Sequence, residues 1–357
     1  MKRKTIVILF LIGLFVAVVA ACFEKSPGYM DADYYYGDAV RLAEGSGWTE
    51  LVLWNYLDNP SGLPHPAHAY WMPLASFLAV PGMWLFQSSS FWAARFLFIL
   101  FAVFIPLLTA LISYKLSQND THAVLSALLA TFSGFYAIYT SNVETFTPYM
   151  LLGGLFILFI QRSKSRLSDG QAVMFGLLAG GMHLARADGL LWLMAAFGWI
   201  LYVGVKFGGE IGFNRLLQVF KRVLFALVGY VLMMSPWFIR NMTVWGAPFP
   251  AGTSQAIWMT DYNQLFIYPA GQLTLQSWLS AGWEVILDLR RQAILENLKT
   301  LIGVQGLIFL FPLIVVGVWR SWREPEVWFG TTMEVVTFTV MSFIFPLAGY
   351  RGGFLHS

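Results

Sequence analysis

Along this chain, apolar runs of roughly 20 residues alternate with short polar joints, and within each run the apolar character is continuous. Such runs predict membrane-crossing helices, since about 20 helical residues cover a bilayer's hydrocarbon core, while barrel strands read as roughly ten-residue alternating stretches. In lipid only helices or a closed barrel satisfy every backbone hydrogen bond. The pattern places spans at about 5–22, 91–113, 122–140, 146–161, 170–185, 188–205, 222–238, 301–319 and 326–348. A further apolar stretch, 71-WMPLASFLAVPGMWLF-86, is short and carries two prolines, so it reads either as a span or as a helix lying in the interface.

Charge decides between these. Lys2, Arg3 and Lys4 place the amino terminus in the cytoplasm by the positive-inside rule. With segment 71–86 lying on the outer surface, Lys115, the cluster 162-RSKSR-166, the group Lys206, Arg215, Lys221 and Arg222, and the pair Arg320 and Arg323 all fall inside. If 71–86 crossed, RSKSR and the 206–222 group would fall outside. The expected architecture is therefore an all-α integral membrane bundle of about nine transmembrane helices, one module over 1–357. It has a first extracytoplasmic loop at 23–90 containing interfacial helices and a second large outer segment at 239–298.

The first run, 1-MKRKTIVILFLIGLFVAVVAAC-22, has the plan of a signal peptide and ends in a lipoprotein-like box, Val19-Ala20-Ala21-Cys22. Because its apolar run is just long enough to span and many spans follow, it reads as an uncleaved first helix. Composition agrees with a membrane protein: 58% hydrophobic, 17% aromatic and 11% charged residues, against about 25% charged in soluble domains. The net charge of +3 sits in the inter-helix loops, a topology signal rather than a nucleic-acid footprint. A single cysteine, Cys22, excludes a disulfide framework and a Cys-x-x-Cys metal site. No P-loop, GxSxG, HExxH or glycine-rich dinucleotide fingerprint occurs.

This topology gathers the unusual polar residues on the outer face: Asp31, Asp33 and His65 in the first loop, Glu144 at the next outer turn, Arg186 and Asp188 at the turn after it, Arg240 and Asn241, then Arg351 and His356. Each has a plain structural reading as well. Arg186 and Asp188 can pair with each other at a turn closed by Gly189, Arg240 can reach lipid phosphate, and Glu144 can be an exposed loop acid. Asp31 and Asp33 alternate around Ala32; on an extended strand both would face one way and together hold a divalent cation or an attacking hydroxyl. His65 and His68 are three residues apart, a metal-compatible spacing in a proline-broken segment.

Taken in order, 29-YMDADYYYGDAVRLAEG-45, 64-PHPAHAYWMPLASFLAVPGMWLF-86, 92-WAARFLF-98, 184-LARADGLLWL-193 and 235-SPWFIRNMTVWGAPFP-250 resemble the layout of the GT-C superfamily of polytopic glycosyltransferases. These include the protein O-mannosyltransferases and aminoarabinose transferases (glycosyltransferase family 39-like) and the oligosaccharyltransferases. The resemblance covers nearly the whole chain. It implies a polyprenyl-phosphate-linked sugar donor, transfer on the outer face of the cell membrane, and an acceptor (protein, lipid or glycan) that it does not identify. It puts the catalytic acid on Asp31, three residues before Tyr34, with Asp33 second. Donor-phosphate ligands would be Arg186, Arg240 and Arg351; substrate contacts would be Tyr34, Glu144, Asp188 and His65. A divalent cation, Mg or Mn, is an open expectation, with Asp33 and His65 as candidate ligands. Trp54, Tyr56, Tyr70 and Trp71 either cover the site or form an interface belt. Asp38, Arg41 and Glu44 read as the solvated side of a helical continuation. Family members often have more spans, and some carry an outer soluble domain, so the chain reads as a minimal module or as part of a longer protein. Two other classes remain: a transporter or lipid flippase, disfavoured because the predicted spans hold few charges, the charged residues cluster at one face and no repeat is evident, and a non-catalytic assembly subunit, which would tolerate loss of the outer acids.

Overall fold

In the computed structural model, residues 1–207, 212–250, 252, 255–346 and 354 are described. The first ten helices are α1 (Arg3–Phe23), α2 (Met30–Ala43), α3 (Leu74–Phe86), α4 (Phe91–Ala94), α5 (Phe96–Ser117), α6 (Asp120–Thr131), α7 (Phe146–Arg162), α8 (Asp169–Ala185), α9 (Leu190–Phe207) and α10 (Phe213–Trp245). They are followed by α11 (Leu275–Ser280), α12 (Trp283–Lys299), α13 (Phe311–Ser321) and α14 (Pro325–Thr339), and a two-residue ladder pairs β1 (Thr49–Glu50) with β2 (His65–Pro66).

Among the described residues, five helical stretches are long and apolar enough to cross a membrane: Arg3–Phe23, Phe96–Ser117, Ala187–Phe207, Phe213–Trp245 and Pro325–Ile344. Their large apolar side chains point outward, Phe15 at 68% and Leu232 at 60% exposure among them. In water such surfaces would associate; lipid is the solvent that accepts them. The protein is a polytopic membrane protein.

Several spans differ from the pattern-based expectation. The span at 122–140 is instead the 12-residue α6 followed by a 3-10 turn at Gly134–Ile138. The chain leaves the helix at Phe132 and reaches Gly134 with φ +61°, a conformation that ends helices. The span at 301–319 breaks into a π-helical turn, Thr300–Gln305, and α13, with Leu307 and Ile308 at positive φ between them. Pro312, at the start of α13, has no N–H and begins a helix rather than continuing one. By contrast the span at 222–238 grows to 33 residues. The proline-containing stretch becomes the 13-residue α3, about 20 Å of helix and so shorter than the hydrocarbon core.

The chain divides into two compact units. The first comprises Met1–Gly45, Met72–Pro236 and Glu324–Glu326; the second comprises Ser46–Trp71, Trp237–Arg323 and Val327–Ser357. In the first, α8 and the early part of α10 cross backbone to backbone. A Cβ on Gly176 would lie 1.8 Å from the Ala226 carbonyl oxygen, and one on Gly229 would lie 2.2 Å from that of Val173, so glycine is what permits this approach. Lys164 pairs with Glu324 at 3.0 Å and with the buried Glu326 at 2.9 Å. The second unit has its own apolar cluster of Leu57, Met259, Leu265, Leu273 and Leu289.

Candidate functional site

The Asp-Ala-Asp stretch is helical, not extended. Asp31 and Asp33 occupy the first turn of α2, where carboxylates favour the positive end of the helix dipole. Two residues along a helix is a rotation of about 200°, so the two side chains diverge. Asp31 is half-buried and Asp33 is exposed. This corrects the expectation that both face one ligand. Asp38 is also corrected: it is buried, not part of a solvated face. Tyr34 packs its ring edge-on to the buried Tyr35 at 5.9 Å.

Glu144 lies in a stretch, 141–149, whose side chains are all buried, and it is only 2% exposed. Its Oε1 accepts a hydrogen bond from the Thr145 hydroxyl at 2.9 Å, while its Oε2 has no protein partner. The exposed-loop reading of Glu144 therefore fails. Burial raises its carboxyl to about 7, and the neighbouring charge of Asp31 adds to the rise. Burial likewise raises Asp31 to about 6, while the charge of Arg186 pulls it back down. Tyr29 is raised by burial and by both carboxylates. Two acids and one arginine thus share one electrostatic neighbourhood in the first unit.

Arg186 enters this neighbourhood from the C-cap of α8. Its guanidinium forks onto Asp188, Nε to Oδ1 at 2.9 Å and Nη2 to Oδ2 at 3.0 Å, and lies 5.6 Å from the centre of the Tyr149 ring. The Arg–Ala–Asp–Gly turn is tight: a Cβ on Gly189 would lie 2.3 Å from the backbone of Met182. The Arg186–Asp188 ion pair leaves the cation half-buried, and its charge acts on both acids. Tyr149 accepts from Trp192 Nε1 at 3.0 Å. Sequence reasoning passed over Tyr29, Thr145 and Tyr149, although Tyr29 stands inside the acidic stretch and the other two stand within five residues of Glu144.

The remaining candidates belong to the second unit or lie outside the described residues. Arg240 belongs to the second unit, where it donates to the carbonyls of Ala67 at 2.7 Å and Trp48 at 3.4 Å. Its guanidinium sits 4.2, 4.9 and 5.7 Å from the rings of Trp245, Trp237 and Trp48. His68 beside it is lowered to about 3 by burial and by that charge. Asn241 donates to the Pro248 carbonyl at 2.8 Å. His65, also in the second unit, stands between Asp58 at 3.2 Å and Glu50 at 3.5 Å. Burial lowers its pKa, but hydrogen bonds to both carboxylates outweigh this and hold it at about 9. A metal at His65 would have to displace the proton that the two carboxylates hold there. Among the described residues no group of three or more His, Cys, Asp or Glu side chains converges on a cation-sized site. Arg351 and His356 lie outside the described residues. Trp54, Tyr70 and Trp71 form a mutual cluster in the second unit, with ring centres 4.9–6.0 Å apart.

No family model and no curated protein matches the sequence. Among solved structures, the chain resembles the apo form of the Archaeoglobus fulgidus oligosaccharyltransferase, with a TM-score of 0.59 at 13% identity. The match covers 99% of this chain and 49% of that one, so this chain spans about half that protein's length. At that identity the likeness shows the fold: an all-α, GT-C-like membrane architecture.

Proposed function

We propose that this protein is a glycosyltransferase that moves a sugar from a polyprenyl-phosphate-linked donor to an acceptor at the extracytoplasmic face, with Asp31 as general base. The observation that carries the reading is the buried Glu144 with the half-buried Asp31 and Arg186 in one electrostatic neighbourhood on a GT-C-like fold. The reaction is a single displacement with inversion. The acceptor oxygen attacks the anomeric carbon, the bond from that carbon to the phosphate oxygen breaks, and the acceptor's proton passes to a carboxylate. A carboxyl held near 6 is mostly ionised at neutral pH, yet basic enough to take that proton as the bond forms. Glu144, higher still, orients the acceptor hydroxyl through its unpartnered oxygen. Arg186, planar and fixed by Asp188, faces the departing phosphate, where its charge offsets the growing negative charge. In this reading the amino terminus is cytoplasmic, and Tyr34 and Asp188 line the same site. Arg240 serves the second unit's outer segment.

The deciding assay incubates the purified protein, reconstituted in vesicles, with a panel of radiolabelled polyprenyl-phosphate sugars. Consumption of one donor by the wild type, lost in Asp31→Asn with insertion intact, supports the reading. Equal consumption by Asp31→Asn removes Asp31 as the base. A wild type that moves lipid across the bilayer and consumes no donor would assign it to transport instead.

A further inference from the structure

The two acids come from segments more than a hundred residues apart, so something must set their spacing. Asp31 follows a short connector between the end of α1 at Phe23 and the start of α2 at Met30. That connector is held at three points. Near its start, the fully buried Arg95 donates through Nη2 to the Ala21 carbonyl at 2.5 Å and lies 3.7 Å from Glu24. At its end, the Tyr29 ring meets the Tyr139 ring edge-on at 5.6 Å. Between them, Asn142 Nδ2 donates to the Pro27 carbonyl at 3.0 Å, across 115 residues of sequence.

Beside the Tyr29–Tyr139 ring contact, the Asn142 bond is a hydrogen bond that ties the two acid-bearing segments directly. Asn142 is 2% exposed and stands two residues before Glu144; Pro27 stands four residues before Asp31. The same side chain fixes its own strand of chain, because its Oδ1 accepts from the Val143 N–H at 2.8 Å. The backbone around it is braced by the Asn142 N–H to Tyr139 carbonyl bond at 3.1 Å and by the Thr147 hydroxyl on the Thr140 carbonyl at 2.5 Å. Proline at 27 restricts its own backbone, which keeps the accepting carbonyl aimed. A buried amide using both its donor and its acceptor in this way is a rigid spacer.

We propose that Asn142 is a positioning residue: its bond to Pro27 sets the separation of Asp31 and Glu144. This rests on the reading of those two acids as the reacting pair. Asn142 touches no reacting atom, so its loss should slow the chemical step and leave donor binding alone. A misplacement of about 1 Å at a reacting pair costs on the order of 100-fold in rate.

Two measurements on the full chain in vesicles test this, in a Cys22→Ser background. In the first, Asn142→Ala should lower kcat about 100-fold while KM for the lipid-linked donor stays within about twofold. Asn142→Ser, whose hydroxyl reaches the Val143 N–H but falls short of Pro27, serves if the alanine variant does not accumulate. Unchanged kcat, or a rise in KM that accounts for the whole loss, overturns the proposal. In the second, nitroxide labels are placed at the exposed positions Lys25→Cys and Ile138→Cys. The inter-label distance distribution should be narrow with Asn142 present and clearly broader in Asn142→Ala. An unchanged distribution overturns the tie whether or not sugar is transferred. A wild type that consumes no donor sinks the functional reading, and the labels then judge the tie alone.

Discussion

A carboxyl raised from 4.5 to about 7, as burial does to Glu144, stabilises the fold when protonated and costs stability when ionised. The sign follows from proton count: over this window the folded state binds more protons than the unfolded one. The contribution is fully present below about pH 4 and is lost as pH rises through about 7. Glu144→Gln keeps the shape and removes the charge. It should raise stability at pH 8 by about 3 kcal/mol, and have little effect at pH 4, as read by thermal unfolding at both pH values. Activity runs the other way. A base held near 6 makes kcat/KM climb as pH rises through that value and level off above it, and Asp31→Asn should abolish the climb along with about 100-fold or more of the rate. Candidate residues were legible here because acids are rare in a chain with 11% charged residues. Their relation was not. The Asp-Ala-Asp alternation suggests a strand, whereas the tripeptide opens α2 and sends one acid inward and the other outward. Likewise no local signal tells that Arg240 would be taken up by indoles and carbonyls.

At the scale of elements, the apolar pattern located α1, α5, α7, α8 and α9 to within a few residues. It failed where backbone chemistry outweighs hydropathy. The run at 122–140 is greasy throughout, yet Gly134 lets the chain turn out of the helix, and Leu307 and Ile308 at positive φ, followed by Pro312, break the run at 301–319. Close helix crossings leave a fainter trace, a glycine whose necessity shows only once its neighbour is known. Gly176→Val places two branches where the Ala226 carbonyl already stands 1.8 Å from a first carbon. The variant should lower stability by about 3 kcal/mol or force α8 from α10, measured as loss of the monodisperse fraction on heating. Gly198, with open space around its absent Cβ, is the control: Gly198→Ala should leave the profile unchanged.

For the whole molecule, sidedness came from charge parity, and it is open to direct test. In a Cys22→Ser background, a membrane-impermeant thiol reagent added outside intact cells should label Ala187→Cys and spare Ser165→Cys, both exposed positions. The reverse pattern would place Asp31 in the cytoplasm and end the proposed topology. The division into two units was not visible in the sequence, because each is assembled from separated stretches whose meeting depends on tertiary packing.

The brevity of α6 has a consequence for the bilayer itself. Twelve residues of helix rise only about 18 Å, well short of the hydrocarbon thickness. Lipids bordering such a helix must compress or tilt to avoid exposing their tails, and the elastic cost grows with chain length. The chain leaves α6 at Thr131 and reaches Glu144 thirteen residues later, so strain at α6 would act close in sequence to the acid-bearing segment. Membrane thickness thereby becomes a variable of the reaction. Reconstituted in phosphatidylcholines of increasing acyl length, the protein should transfer fastest in the thinner bilayers, and a rate indifferent to thickness would show that the annulus carries no strain.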